Sequence, residues 1–354
     1  MIVLKIKASG VYNFNNFSID FSYPKRIMGS TIENEHLAGF PNFRYKKAVI
    51  LLGSNATGKT CLGRLISNVV SYINTGNDAF IKNMSNGKAN IELYFVNSGD
   101  TLYRFEIKQE ENVFLFLSES KIAKSDSFEV AEAKLKIVLS NDIKAISQRV
   151  GFLDCLFAYP EISEKLDIKD EDKKLFLKSL RSVLGTLDPS LKEIVISKEI
   201  DNSFIIKRGN DSIIIQDGKL LNKELLSSGT KEGIDVALFI ASMMGKGRGL
   251  YYCDEHFSYI HSDVEKRIFS IMVGKLKDNE QLIFTTHNLD MLELNVPKHT
   301  FAFLRRGEGS APEVIFADSR LKRNTDSVRS AVENDLFDSS PDLTLLNELE
   351  DERE

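Results

Sequence analysis

Between residues 47 and 73 the chain carries a pattern that few folds can hold: a short apolar run, a glycine-bounded turn and an amphipathic helix. Residues 47–52, Lys-Ala-Val-Ile-Leu-Leu, read as a strand buried on both faces, as in a parallel sheet. Gly53-Ser54-Asn55-Ala56-Thr57-Gly58-Lys59-Thr60 follows and fits G-x-x-x-x-G-K-[ST]. In that spacing the glycines let successive backbone N–H groups point inward at phosphate oxygens. Lys59 adds a positive charge for the β- and γ-phosphates, and the Thr60 hydroxyl suits Mg²⁺. Leu62, Leu65, Ile66, Val69, Val70 and Ile73 then recur at helical spacing, so the next element is a helix whose positive end faces the same anion.

The bulk properties narrow the setting. With 354 residues, 42% hydrophobic and 27% charged, the chain has ample core for one large domain or two lobes. Its net charge of −5 gives no global signature of a nucleic-acid binder, while leaving room for a local basic patch. No apolar stretch approaches the roughly 18 residues of a membrane span, and the start lacks a signal-peptide pattern. Cys61, Cys155 and Cys253 are isolated, which argues against a zinc site and fits a reducing, cytoplasmic setting.

Along the chain, residues 2–7 and 17–21 read as paired strands, followed by a polar excursion at 23–45. Lys25, Arg26, Arg44, Lys46 and Lys47 make this region the candidate basic patch, or else a solvated loop. Residues 91–96, 101–107 and 113–117 form a β-meander by spacing and turn chemistry. From 118 to 187 the pattern is mostly helical; 194–196, 204–207 and 212–216 read as strands again, and an α/β pattern runs from 225 to about 305. The end is acidic, with Asp335, Asp338, Asp342, Glu348, Glu350, Asp351, Glu352 and Glu354. It reads as a solvated end, or as a docking peptide built on Leu343, Leu345 and Leu346.

Three further segments bear chemistry. The apolar run 249–253 ends in Asp254-Glu255, which suits Asp254 for a Mg²⁺ shell and Glu255 for polarising an attacking water. Leu226-Ser227-Ser228-Gly229-Thr230 opens a helix at about 231–244; it reads as an anion site of bare N–H groups or as a helix cap. Gln281-Leu282-Ile283-Phe284-Thr285-Thr286-His287 is a strand ending in an imidazole that could sense a γ-phosphate.

In this order the four elements resemble the ATP-binding cassette (ABC) ATPases, and most of all their non-transporter branch: RecF, the SMC heads and the OLD-like ATPases. Leu187-Asp188-Pro189-Ser190-Leu191-Lys192-Glu193-Ile194, the Leu-Ser-Ser-Gly-Thr run and the step from Asp254-Glu255 to Ile260-His261 look closest to stand-alone OLD-like ATPases. The resemblance implies an α/β P-loop NTPase of ABC type, with an N-terminal antiparallel β region and a helical lobe inserted between the P-loop and the signature. The implied units are 1–117 (first lobe with P-loop), 118–220 (inserted lobe and hairpin), 221–310 (signature, Walker B and switch histidine) and 311–354 (acidic tail).

The resemblance further implies that ATP and Mg²⁺ are bound. Gly53, Ser54, Asn55, Ala56, Thr57, Gly58, Lys59 and Thr60 would hold the nucleotide, Thr60 and Asp254 the metal, and Glu255 and His287 would be catalytic. Ser227 and Gly229 would contact the ATP of a second copy in a head-to-tail dimer, with Ile260 and His261 at the seam. Ser228 stands where the signature commonly has glycine. Gln109 and Gln148 are the glutamines considered for the Q-loop, and neither is assigned. Such ATPases often serve anti-phage defence beside a separate effector, frequently a nuclease. Beyond the ATPase only about 45 residues remain, less than an ordinary domain, so no built-in nuclease is expected. A RecF-like DNA repair or loading ATPase is the alternative. A transporter subunit, or a scaffold with ATP as structural glue, ranks behind it.

Overall fold

The computed structural model describes residues 1–12, 14–27, 29–159, 166, 168–306, 311–323 and 325–338. Leu343, Leu345, Leu346 and most of the acidic end therefore lie outside the described residues. The chain opens with β1 (Ile2–Val11), β2 (Phe17–Asp20), β3 (His36–Leu37), β4 (Phe40–Arg44) and β5 (Ala48–Leu52). Helices α1 (Lys59–Thr75) and α2 (Ala79–Met84) lead into β6 (Ser85–Val96), β7 (Thr101–Gln109) and β8 (Val113–Lys121). Then come α3 (Phe128–Ala133), β9 (Lys136–Ser140), α4 (Ile143–Val150), β10 (Cys155–Ala158) and α5 (Lys173–Leu187). A second meander, β11 (Leu191–Ile196), β12 (Ser203–Arg208), β13 (Asp211–Gln216) and β14 (Lys219–Leu221), precedes α6 (Ser228–Met244). The chain continues with β15 (Leu250–Asp254), α7 (Ser262–Lys275), β16 (Gln281–Thr286), β17 (Phe301–Arg305), β18 (Glu313–Phe316), α8 (Ala317–Arg320) and α9 (Val328–Glu333).

Two six-stranded sheets dominate. The first, β2-β1-β6-β7-β8-β9, is antiparallel throughout. The second runs β10-β15-β16-β5-β17-β18 and is parallel except for β18. Every residue of β5, β15 and β16 is buried, as continuous apolar runs covered on both faces require. Alternate residues feed different cores. Val49, Leu51, Leu250, Tyr252 and Ile283 face α1 and the antiparallel sheet, whereas Ile50, Leu52, Tyr251, Cys253 and Phe284 face α5, α6 and α7. Helix α1 is thus held between the two sheets, which explains its broad apolar face. The amide of the fully buried Gln281 joins the sheets: Oε1 accepts from Val3 N at 2.9 Å, and Nε2 donates to Val3 O and Lys46 O, both at 3.1 Å.

Two expectations from the sequence hold only in part. The stretch 118–187 carries helices α3, α4 and α5, as the spacing predicts, but it is not helical throughout: β8 runs to Lys121, β9 extends the antiparallel sheet, and β10 pairs in parallel with β15. Leucine and isoleucine at spacings of three and four suggested helix. The β-branched Ile137-Val138 pair and the apolar run 155–158 instead satisfy open sheet edges. The basic excursion is a surface feature only in part: Lys25 and Arg26 are exposed and Arg44 is half-buried, but Lys46 and Lys47 are not at the surface. Lys46 is buried, donates to Asp20 O at 2.9 Å and Ser22 O at 2.8 Å, and lies over the Phe316 ring. Burial pushes its pKa down to about 8. Lys47 is also buried and donates to Glu33 O at 3.0 Å.

Candidate active site

The loop after β5 is shaped by close approach. A Cβ on Gly53 would stand 2.3 Å from Leu304 O, so no side chain fits where the backbone leaves the sheet. Ala56 and Gly58 both take positive φ, 61° and 113°, which reverses the chain into α1. Thr57 Oγ1 donates to Ser54 O at 2.9 Å and braces the turn, while Asn55 and Ala56 stay exposed at its tip. From β15 the buried Tyr252 reaches across: its hydroxyl donates to Lys59 O at 2.7 Å, and its ring fills the space beside Gly63.

Lys59, almost fully buried, turns back on the loop, donating to Gly53 O at 2.7 Å and Ser54 O at 3.1 Å. Its ammonium also lies 3.2 Å from Glu255 Oε1. Burial lowers the Lys59 pKa, and the Glu255 and Asp254 carboxylates oppose that shift. Glu255 follows the end of β15 with φ 48°, a strained conformation for a side chain of its size. The backbone is held there by Thr285, which accepts from Glu255 N through O at 3.2 Å and Oγ1 at 3.1 Å. His287 Nε2 stands 2.9 Å from Glu255 Oε1. Burial alone would push the Glu255 carboxyl up; the His287 ring and the Lys59 ammonium more than offset this and hold it below the ordinary glutamate range.

Asp254 is fully buried and accepts 2.6 Å bonds from Thr60 Oγ1 and Thr285 Oγ1. Burial raises its pKa, and the two hydroxyls pull it part of the way back. The Thr60–Asp254 pair is a hard-oxygen donor set of the kind Mg²⁺ takes, with a substrate's phosphates completing the shell. Among the described residues no group of three or more His, Cys, Asp or Glu could hold a metal unaided. The constricted glycine turn, the inward lysine and this donor set all fit a nucleotide with its metal.

One predicted group stands in its own turn. Ser227 caps α6, accepting from Thr230 N at 3.2 Å and pairing with Thr230 Oγ1 at 2.7 Å. Gly229 is required there, because a Cβ would come 2.8 Å from Tyr259 O. Glu232, one turn further on, faces Tyr259 N, and burial pushes its carboxyl up to about 7. The signature turn is thereby packed against the loop that leaves Glu255. Neither glutamine weighed for the Q-loop is in the parallel sheet: Gln109 ends β7 and Gln148 lies in α4.

Tyr252, Glu265 and Thr285 complete the site without having been expected there. A pair of hydroxyl residues before His287 was the available signal for Thr285 and Thr286; nothing local marks Glu265. Buried His256, beside Glu255, has no hydrogen bond to either ring nitrogen, and burial lowers its pKa to about 4.

No family model matches the chain, and no curated protein matches its sequence. Solved structures do match in shape. An SMC head bound to the C-winged helix domain of ScpA superposes with a TM-score of 0.54 at 13% identity, covering 91% of this chain and 100% of that one. An Smc head domain with an extended coiled coil, bound to the C-terminal domain of ScpA and derived from Pyrococcus furiosus, gives a TM-score of 0.52 at 12% identity, covering 96% and 99%. The chain therefore has the fold of the SMC heads, an ABC-type ATPase fold. Among the described residues no helix is long and apolar enough to cross a membrane.

Proposed function

We propose that this chain binds and hydrolyses ATP and uses the cycle as a switch. The observation that carries the reading is one connected chain of groups: Lys59, Glu255 and His287 linked at 3.2 and 2.9 Å beside the Thr60–Asp254 pair. The loop from Gly53 to Gly58 would cradle the phosphates with its N–H groups, and Lys59 would neutralise them. Thr60 and Asp254 would hold Mg²⁺, which when bound screens the charge of the phosphate oxygens. Glu255 is kept ionised by its neighbours, so it can accept the proton of an attacking water. His287 orients that carboxylate through Nε2.

Ser227 and Gly229 would act in trans, on ATP held by a second copy, with Tyr259 to His261 at the seam. ATP would then favour a closed head-to-tail dimer, and hydrolysis would release it. On the resemblance of residues 187–194 and 226–230 to stand-alone OLD-like ATPases, the switch serves anti-phage defence in the cytoplasm, with the destructive chemistry carried by a separate effector such as a nuclease.

The decisive experiment is ATP turnover by the chain and by Glu255→Gln, with and without duplex DNA. Loss of a general base should lower turnover at least about 100-fold while ATP is still bound. Equal rates for the two proteins would overturn the assignment of Glu255. Strong stimulation by DNA would favour the RecF-like reading over a protein-coupled switch.

A further inference from the structure

Glu265 lies on α7 with 1% of its surface exposed, yet both carboxylate oxygens are used. Thr286 Oγ1 donates to Oε1 at 2.7 Å and Asn288 Nδ2 donates to Oε2 at 2.6 Å. These donors are the residues on either side of His287. Between them they brace the turn: Thr286 Oγ1 accepts from Asn288 N at 3.0 Å, and Asn288 Oδ1 accepts from Asp290 N at 2.9 Å. Burial pushes the Glu265 carboxyl up, and the two hydrogen bonds oppose that. A side chain needed only to fill the space between α7 and β16 would be apolar, since a buried carboxylate is unfavourable unless its partners matter. The same helix starts at the loop leaving Glu255: His261 caps it, and Glu265 N donates to His261 O at 3.1 Å.

We propose that Glu265 is a positioning residue for hydrolysis: it fixes the main chain on both sides of His287 and so aims the imidazole at Glu255. The proposal rests on the ATPase reading of the same site. Because α7 carries the clamp and begins at the loop following Glu255, any shift of that loop is passed through one helical turn to His287.

The test compares kcat, ATP affinity, thermal melting and the His287 ring-proton NMR signals, the last assigned by their loss in His287→Ala. The proteins are the parent chain, Glu265→Ala, Glu265→Gln, Thr286→Val, His287→Ala and the Glu265→Ala/His287→Ala double variant. Glu265→Ala should lower kcat about 30-fold with ATP affinity within about threefold, the signature of a group acting on the transition state alone. Glu265→Gln should recover kcat to within about threefold, because its amide oxygen can accept from Asn288 Nδ2 and its amide nitrogen can donate to the Thr286 hydroxyl, leaving Asn288 Oδ1 on Asp290 N. The double variant should be no slower than His287→Ala, as for two residues acting as one unit. The His287 signals should move in Glu265→Ala and Thr286→Val.

Losses that multiply in the double variant would overturn the proposal, as would His287 signals that stay in place. Should Glu265→Ala melt below the assay temperature, the near-isosteric Thr286→Val decides alone, by its His287 signals and an expected loss of about fivefold in kcat. If the parent chain turns over ATP no faster than Glu255→Gln, the ATPase reading fails. The His287 signals would still show whether Glu265 sets the ring.

Discussion

Glu255 sits between opposing influences. Its burial favours the neutral acid, and the His287 and Lys59 contacts favour the carboxylate; the contacts win. Its pKa is therefore depressed, so the base persists to lower pH than an ordinary glutamate would. Removing the ring in His287→Ala lets the pKa rise, and the acid limb of the residual single-turnover rate should move to higher pH. An unmoved limb would mean that Lys59 alone sets the ionisation. Glu232 behaves oppositely, with burial raising its pKa to about 7. The folded protein then binds more protons than the unfolded chain between about pH 4.5 and 7. That contribution to stability is complete below pH 4.5 and declines as pH rises through 7. Glu232→Gln should flatten this decline and gain about 1–2 kcal/mol at pH 8 in urea unfolding, after allowance for solvent screening. At this scale the motif residues were legible because loop chemistry forces glycine, lysine and threonine into a fixed order. Glu265 was not: a single polar residue in a helix looks like any other until its partners arrive from elsewhere in the chain.

Among the elements, α1 shows how tightly the loop is tied to the sheets. A Cβ on Gly63 would lie 2.4 Å from the ring of Tyr252, itself fully buried and bonded to Lys59 O. Alanine is the better helix former by about 1 kcal/mol, and overpacking of this kind costs about 1–3 kcal/mol. Gly63→Ala should therefore destabilise by up to about 2 kcal/mol in chemical unfolding and weaken ATP binding by displacing Lys59. Gain of stability would mean the Tyr252 ring has room to swing away. Strands β5, β15 and β16 and helix α1 were legible, since burial on both faces leaves an uninterrupted apolar run and a helix between sheets leaves a wide apolar stripe. Strands β9 and β10 were not, because short segments completing a sheet owe their conformation to the strand beside them.

Taken whole, the molecule depends on Gln281, whose amide serves both sheets at once. Gln281→Leu keeps the volume and strands buried backbone groups of Val3 and Lys46; it should cost about 3 kcal/mol or more and lower Tm by at least about 4 °C. A melt split into two steps would show that the sheets can unfold separately. The α/β class and the antiparallel N-terminal region were legible as a succession of patterns, but the order of strands in the parallel sheet was not, since it joins segments from 48–52, 155–158, 250–254, 281–286 and 301–305. That order has a consequence during synthesis. Both neighbours of β5 come from the far end of the chain, at Gln281–Thr286 and Phe301–Arg305. At ordinary elongation speeds the strand leading into the phosphate loop waits roughly 10 to 50 s for its first neighbour. The antiparallel sheet is complete by Ser140 and can shelter one face of β5 meanwhile, yet both edges stay open. The yield of folded protein is thus governed by how fast the ribosome reaches residue 286 and by what guards a bare strand until then, rather than by the stability of the finished molecule.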